Sequence, residues 1–428
     1  MIVLIPILFL LFFLGIPIAY SLGFISIVGV YLTDPEMLMN IPRRIYRGID
    51  NFSLVAVPLF ILAGELMSKG GISSRLIRFA QTLVGHLPAG LAMVVVVASM
   101  FFSAVSGTAI AAAAAIGGMM IPAMKKEGYD PRFSSTLVAT SGTIGPIIPP
   151  SITLVLFGVM TSTSIGALFV AGVVPGILMG VGLMIYCYYV GIKYNYKGRE
   201  KRAGFKELMV GLKDAVLALL MPIIIVGGIL SGVFTPTESG VIAVVYALLI
   251  GMFVYKELKV KDLVQVFLSS AKTTAVIVFL IGNAALFTWF LSFHRIPDQL
   301  ASLIGPFAEN KFLLLLFINV ILLIAGTFID TISALTIFTP LFLPLVEAAH
   351  IDLIHFGIIL AVNLTIGMVT PPLGVCLFVT AAIAKIRVPE MFTFLIPQIL
   401  ILLAVLIVIT YLPQLTLFLP DLLSSFSN

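Results

Sequence analysis

Two similar stretches, TIGPIIPP at residues 143–150 and TIGMVTPP at residues 365–372, place strict limits on how this chain can fold. Each lies inside a long apolar run, about 133–160 and about 355–383, and each puts glycine and proline where a membrane helix would otherwise be continuous. Proline lacks an amide donor and clashes with the preceding turn, so both runs are predicted to be helices broken near the middle. The freed carbonyl oxygens need partners inside the bilayer, and a cation can serve as one.

The composition agrees with a protein that lies almost wholly in the membrane. Of 428 residues, 61% are hydrophobic and 10% are charged, against roughly a quarter charged in a soluble domain. This excludes a soluble enzyme or a nucleic-acid-binding protein and predicts an all-α polytopic membrane protein in a lipid bilayer. Full spans are expected at about 2–32, 50–68, 133–160, 164–192, 212–233, 237–255, 272–291, 355–383 and 391–419.

Two further apolar segments, 87–123 and 312–346, are interrupted by the polar stretches SAVSGT (103–108) and GTFIDT (326–331). Each segment is either a pair of spans or a re-entrant hairpin. Nine spans with two hairpins place 19 of the 24 Lys and Arg residues in loops on one side, which is expected to be the cytoplasm. The N-terminus is then cytoplasmic and the C-terminus periplasmic. The loop 33–49, with Arg43, Arg44 and Arg47, is the exception on the outer side.

The two halves of the chain match each other at offsets of 218 to 224 residues. VPLFILAG (57–64) resembles VIVFLIG (276–282), and Ser106 aligns with Asp330. A single extra span, 212–233, separates the copies, so the second copy must enter the membrane from the opposite side. The prediction is two inverted repeats, 1–211 and 234–428, the first with an interfacial arm helix at 72–86. Broken helices at equivalent positions in inverted repeats are typical of secondary transporters.

The breaks and the hairpin tips supply the candidate chemistry. Hydroxyl and carbonyl oxygens are hard ligands that suit sodium and other hard cations; at the tips they come from Ser103, Ser106, Gly107, Thr108, Gly326, Thr327, Asp330 and Thr331. The helix that restarts after Pro149-Pro150 points its amino end at the gap, which suits a carboxylate, and Ser151 lies there. The alternative is that these small residues only permit close helix packing.

Asp330 is the outstanding single residue, because an ionisable group at membrane depth is a functional candidate by default. It could ligate a cation, take a proton, hydrogen-bond a substrate hydroxyl or simply cap a helix. Glu65 is interpreted as a structural partner of Lys69, four residues on. Neither a nucleophile–base pair nor a nucleotide or metal motif is present, so no enzymatic activity is predicted and an ion gradient is the expected driving force.

Several motifs give the chain a strong resemblance to the large membrane subunit of the tripartite ATP-independent periplasmic (TRAP) transporters. They are NFSLVAVPLFILAGELM (51–67), SAVSGTAIAAAAAIGGMMIPAM (103–124), SGTIGPIIPPS (141–151), FTPTESG (234–240) and TIGMVTPPLG (365–374). The resemblance implies an elevator-type fold of the ion-transporter superfamily in the bacterial inner membrane. It also implies sodium-coupled uptake of an organic anion, such as sialic acid or a C4-dicarboxylate, delivered by a periplasmic binding protein, with a separate small four-helix membrane subunit. A stand-alone carrier without a binding protein is the alternative.

The resemblance also implies where the co-transported sodium ions and the substrate bind. One sodium site falls at Ser103, Ser106 and Gly145, and the other at Gly326, Thr327, Gly367 and Thr370. The substrate is expected between them, near Ser106, Ser151 and Asp330. Arg43, Arg44 and Arg47 become candidates for docking the binding protein or the neighbouring subunit.

Overall fold

The computed structural model describes residues 4–296 and 310–427, and every regular element in these ranges is helical. Nine of the described helices are long and apolar enough to cross a membrane. The helices of the first half are α1 (Leu4–Phe13), α2 (Ile18–Thr33), α3 (Ile41–Ile49), α4 (Ala56–Lys69), α5 (Ile72–Val84), α6 (Gly90–Ser106), α7 (Ala109–Lys126), α8 (Pro131–Gly142), α9 (Ile152–Thr161) and α10 (Ile165–Lys193).

The second half follows the connecting helix α11 (Phe205–Leu230), which covers residues 212–230 of the predicted linking span 212–233. Its helices are α12 (Pro236–Leu249), α13 (Val260–Phe293), α14 (Lys311–Phe328), α15 (Thr331–Ala348), α16 (Leu353–Gly367), α17 (Val375–Ala384), α18 (Phe392–Tyr411) and α19 (Gln414–Ser427). The helix α13 has 34 residues and extends well beyond the predicted span 272–291.

Besides the two broken helices, two of the predicted spans are each two helices. The first span, 2–32, divides at Gly15, which has φ +77°, and at Pro17, which precedes α2. A positive φ suits glycine, and proline cannot donate the hydrogen bond that a continuous helix needs. The last span, 391–419, divides at Leu412, because the residue before a proline is driven out of the helical region. The terminal residues themselves lie outside the described ranges.

The predicted outer loop 33–49 is largely helical. A 3₁₀ turn over Pro35–Asn40 leads into α3, which packs along the last third of α13. A methyl group added to Gly48 would lie 2.2 Å from the Cβ of Ala285, so the two backbones approach closely. The helix carries Arg44 to within 5.0 Å of the Trp289 ring and leaves Arg43 and Arg47 exposed.

The two pairs α6–α7 and α14–α15 are re-entrant hairpins, because each tip meets the break of a broken helix. A Cβ on Gly107, at the first tip, would lie 3.0 Å from the carbonyl oxygen of Pro150. At the second tip, Gly326 contacts Gly367 at the end of α16. The breaks, at residues 143–151 and 368–374, are flanked by helix on both sides, so the hairpin tips lie at mid-depth.

The bases of the hairpins lie at opposite ends of α18. Just after the first hairpin, the ring of Phe133 contacts Phe394 at the start of α18, with ring centroids 5.5 Å apart. Just after the second, His355 shares a hydrogen bond of 3.2 Å with the carbonyl oxygen of Thr410 near its end. Thr410 lies sixteen positions after Phe394 in the same helix, about 24 Å along the axis at about 1.5 Å per residue. The hairpins therefore enter the protein from opposite faces, as inverted repeats require.

The predicted cytoplasmic loops contact one another. Arg75 forms an ion pair of 2.6 Å with Glu257. The amide of Arg199 donates to the carbonyl of Gly85 at 2.8 Å, and the amide of Asp130 donates to the Tyr196 hydroxyl at 3.0 Å. These contacts join four of the five predicted cytoplasmic loops, 69–87, 124–132, 193–214 and 256–272, on one face; the fifth is 384–390. The arm segment before the first hairpin is helical, with Ile72, Leu76 and Phe79 buried.

We expect cysteines placed at the bases of the two hairpins to react from opposite sides of the membrane. Lys126 and His350 are both exposed, and the native Cys187 and Cys376 are buried and give no background. In intact cells a membrane-impermeant maleimide should label His350→Cys, whereas Lys126→Cys should be labelled only after permeabilisation. Labelling of both variants from one side would contradict the inverted arrangement.

Candidate functional site

The first tip packs directly on the first break. The α6 helix ends at Ser106, and Gly107 then adopts φ +62°, which lets its amide donate to the carbonyl of Ser103 at 3.1 Å. Across the gap, a Cβ on Gly145 would lie 2.8 Å from the carbonyl oxygen of Thr108. Glycine at both positions therefore allows backbone oxygens of the tip and the break to approach each other.

The second tip meets the second break even more closely. A Cβ added to Gly367 would lie 2.5 Å from the Cα of Gly326, so neither position has room for a side chain. The amide of Gly374 also donates to the carbonyl of Thr327 at 3.5 Å. Each break contains a cis peptide bond between its two prolines.

The residues predicted to bind sodium are brought together in two groups, one at each tip. In the first group, Ser103 is fully buried and its hydroxyl donates to the carbonyl of Ser99 at 2.5 Å, whereas Ser106 makes only a long contact of 3.4 Å to the carbonyl of Thr108. In the second group, the hydroxyls of Thr327 and Thr370 donate to carbonyls in the preceding turn at 2.7 and 2.8 Å. A hydroxyl that donates in this way still has lone pairs with which it can accept or ligate.

A central cavity of about 480 Å³ separates the hairpin tips from α4 and α13. The first tip contributes Ser106, Gly107 and Thr108, and the second contributes Asp330, Thr331 and Ile332. The opposite wall is formed by Ile61, Gly64, Glu65 and Ser68 of α4 and by Thr273 and Ile277 of α13. A Cβ on Gly64 would lie 3.3 Å from the carbonyl oxygen of Val105, so α4 also contacts the first tip.

Two of the three predicted substrate residues, Ser106 and Asp330, line this cavity, and Ser151 does not. The Ser151 side chain is 1% exposed and caps α9: its hydroxyl donates to the Pro146 carbonyl and accepts from the Leu154 amide at 3.2 Å. Asp330 caps α15, because its Oδ1 accepts from the amides of Ile332 and Ser333 at 3.1 Å each. Asp330 therefore caps a helix, which is one of the predicted alternatives, and it also lines the cavity.

Three helices begin at the cavity. Their first residues, Ala109 of α7, Ile152 of α9 and Thr331 of α15, all lie in its wall. The first amides of a helix have no partner within the helix and carry its positive dipole end, so they form an anion-binding surface. Among the described residues that line the cavity, none is Lys, Arg or His.

Glu65 is the main site residue that sequence reasoning missed. It does not pair with Lys69; its Oε1 accepts a hydrogen bond from the Ser269 hydroxyl of α13 at 3.3 Å, and its side chain lines the cavity. The spacing of Ile61, Gly64, Glu65 and Ser68 is that of one helical face. This periodicity would have placed Glu65 on the same face as Gly64, which touches the tip.

A larger cavity, about 820 Å³, lies at the basic face between the arm helix and the loop 193–204. Its wall includes Arg78, Lys197 and Arg199 together with Glu127, Glu207 and Asp214, and the ion pair Arg199–Glu207 crosses part of it. It touches neither break nor tip. The smaller central cavity, which both tips line, is therefore the candidate site.

Comparison with known proteins shows the family to which the chain is similar. Residues 5–415 match the family described as tripartite ATP-independent periplasmic transporter, DctM component. The chain is 39% identical over 412 residues to the sialic acid TRAP transporter large permease protein SiaM of Vibrio cholerae, covering 96% of each chain. It is also 39% identical over 401 residues to the C4-dicarboxylate TRAP transporter large permease protein DctM of Pseudomonas aeruginosa, covering 94% of each.

A solved structure supports the fold. The YdaH transporter of Alcanivorax borkumensis, whose topology is described as unusual, aligns with a TM-score of 0.63 over 89% of each chain. The sequence identity is 14%, so this likeness concerns the fold alone. It agrees with the predicted fold class of a helical transporter.

The Gly326–Gly367 contact yields a sharp test of the packing between tip and break. Gly367→Ala forces a methyl group against the Gly326 backbone, and we expect it to lower the free energy of unfolding by about 1–3 kcal/mol, the usual cost of overpacking. A thermal-shift measurement on the purified chain would detect this loss. In the control Gly118→Ala, the methyl group meets nothing within 4 Å, and stability should stay unchanged or rise by up to about 1 kcal/mol. Equal stability of both variants and the wild type would contradict the close contact.

Proposed function

The chain belongs to the tripartite ATP-independent periplasmic transporter family as a DctM component, a transporter permease for organic acids and not an enzyme, and from this premise we propose that it takes up an organic anion together with sodium. The anion occupies the central cavity between the two tips. Sodium ions bind where each tip covers a break. The observation that carries the proposal is the convergence of both tips and three helix amino termini on one cavity.

The anion site is supported by the charge distribution of the cavity. A carboxylate that enters it meets the first amides of α7 and α9, whose caps, Thr108 and Ser151, are neutral hydroxyls. With no basic side chain in the described wall, these amides and the sodium ions must balance the substrate charge. This makes anion binding depend on sodium, which is the thermodynamic basis of co-transport.

The sodium sites are supported by the oxygens that the glycines bring together. We place the first sodium ion at Ser103, Ser106 and Gly145, because Gly145 closely approaches the carbonyl oxygen of Thr108 at the tip. We place the second at Gly326, Thr327, Gly367 and Thr370, because Gly326 and Gly367 meet backbone to backbone. Backbone carbonyls freed at a helix break and hydroxyls in the adjoining turn are hard oxygen ligands. The two groups lie on either side of the cavity that takes the anion.

We assign the two hairpins and the two broken helices to a mobile elevator domain and α4 and α13 to a fixed scaffold. The cavity lies between these two groups of helices, so sliding one past the other would carry its contents. The wall residues of α4, from Ile61 to Ser68, run to the end of the helix at Lys69 on the basic face. The cavity therefore faces that side, which corresponds to the inward-facing state if the basic loops are cytoplasmic.

The proposed partners are a periplasmic binding protein that delivers the anion and a small four-helix membrane subunit. The chain would lie in the inner membrane with its N-terminus cytoplasmic and its C-terminus periplasmic. The helix α3 lies beside the end of α13, since the Arg44 guanidinium is 5.0 Å from the centre of the Trp289 ring. Its exposed Arg43 and Arg47 suit docking to an acidic surface. Transport by the purified chain in liposomes without any soluble component would instead favour a stand-alone carrier.

We expect the double variant Ser103→Ala/Ser106→Ala to lose the sodium dependence of uptake while it still inserts and folds. Removing two hydroxyl ligands weakens the first sodium site, and uptake should fall and respond little to sodium concentration. The control is Ser26→Ala, because Ser26 is equally buried and its hydroxyl also donates to the carbonyl four residues earlier, at 2.7 Å. A normal sodium response in the double variant would rule out this site.

Docking through α3 is tested by charge reversal. With a fixed amount of binding protein, Arg43→Glu/Arg44→Glu/Arg47→Glu should slow uptake, and the effect should shrink at high salt because exposed charges are screened. The matched variant with Lys at the three positions keeps the charge and should retain most of the uptake. Unchanged uptake in the Glu variant would exclude docking at α3.

A further inference from the structure

Two carboxylates line the central cavity on different walls, and they limit which cargo can bind there. Asp330 lies at the second tip and Glu65 lies on α4. Each has one oxygen committed to the protein: Asp330 Oδ1 to two amides of α15, and Glu65 Oε1 to the Ser269 hydroxyl. Within residues 4–296 and 310–427, the second oxygen of each accepts no hydrogen bond.

A carboxylate oxygen only accepts hydrogen bonds, so a ligand that fills this cavity must bring donors to the two free oxygens. Hydroxyl, amide or ammonium groups meet this need. A methylene chain or another carboxylate does not, and would leave desolvated acceptors without partners.

The caps of the three helices fix the orientation of the cargo. The amino ends of α7 and α9 carry neutral caps, whereas the amino end of α15 is already occupied by the Asp330 carboxylate. The negative end of the cargo is therefore best placed at α7 and α9. Its other end then faces Asp330, and a second negative charge there would be repelled with no Lys, Arg or His in the described wall to offset it.

From this arrangement we propose that the cargo is a monocarboxylate bearing several hydroxyl or amide donors, such as a sugar acid, and that Asp330 and Glu65 recognise those donors and discriminate against dicarboxylates. This rests on the proposed function, since it requires that an organic anion occupies the cavity. It adds Glu65, on the wall opposite the tips, as a specificity-determining residue.

The first test uses the wild-type protein. The purified full-length chain would be titrated in sodium chloride with N-acetylneuraminate, D-gluconate, succinate and butyrate, with the thermal shift as the measure of binding. The hydroxylated monoacids should bind at least about tenfold more tightly than succinate or butyrate. Succinate binding as tightly as the hydroxylated acids would overturn this inference and leave the anion site intact. If none of the four acids shifts the melting temperature, the anion site itself is wrong.

The second test uses isosteric variants. Asp330→Asn and Glu65→Gln remove a charge but keep the shape, and each should weaken binding of the hydroxylated acids about ten- to a hundredfold, the usual loss for a hydrogen bond to a charged group. Asp330→Asn should at the same time narrow the gap between these acids and succinate. Unchanged selectivity in both variants would overturn the inference. Loss of the sodium effect with unchanged selectivity would also overturn it, because Asp330 would then be a cation ligand.

Asp352→Asn is the matched control. Asp352 caps α16 as Asp330 caps α15: its Oδ1 accepts from the amides of Ile354 and His355, at 2.8 and 3.1 Å. It does not line the central cavity. This variant should lose a similar amount of helix capping and retain the selectivity of the wild type, which separates recognition from stability.

Discussion

The two broken helices depend on one physical constraint, which is that backbone groups freed inside a bilayer must find partners within the protein. Each break is covered by the tip of a hairpin, and the cover is tight because glycine faces it. At the second break, Gly326 and Gly367 meet backbone to backbone. At the first break, Gly107 closely approaches the Pro150 carbonyl, and Gly145 closely approaches the Thr108 carbonyl. Each break therefore needs a hairpin to cover it. The backbone oxygens of the hairpin tips and of the breaks lie together near the middle of the membrane.

The inverted arrangement explains why a single cavity lies between the two tips. The bases of the hairpins contact α18 near Phe394 and near Thr410, at its two ends. Two hairpins that enter from opposite faces and stop at mid-depth must bring their tips close to one level. Three helices, α7, α9 and α15, begin at the cavity. Their first amides offer an anion a favourable environment although the described wall has no basic side chain. The wall formed by α4 and α13 then closes the remaining side.

The broken helices and the hairpin tips were predictable because their signals are local. Proline and glycine interrupt a helix wherever it packs, and the offsets between the two halves are visible in the chain itself. The helical nature of α3 was missed, since Arg43, Arg44 and Arg47 made it look like a loop until packing on α13 paired Arg44 with Trp289. The break at Gly15 was also missed, because the residues on both sides of it are uniformly apolar.

Side-chain roles were harder to predict, because they depend on which helices become neighbours. Glu65 was placed with Lys69 by sequence spacing, but α13 offers it Ser269, 204 residues away. Ser151 has the residue type and the position of a ligand, yet its hydroxyl is used within its own turn.

Asp330 and Asp352 also show that local sequence and geometry do not determine the role of a side chain. Each is an aspartate that caps a helix through Oδ1 with two amides, and the local geometry is nearly identical. Only the position of the helix end, at a cavity or away from it, separates them. Relatives that are equally similar to this chain, at 39% identity, are named for sialic acid and for C4-dicarboxylates. Overall similarity therefore does not separate the two kinds of cargo, and the selectivity proposed for this chain rests on the position of Asp330 and Glu65 in the cavity wall.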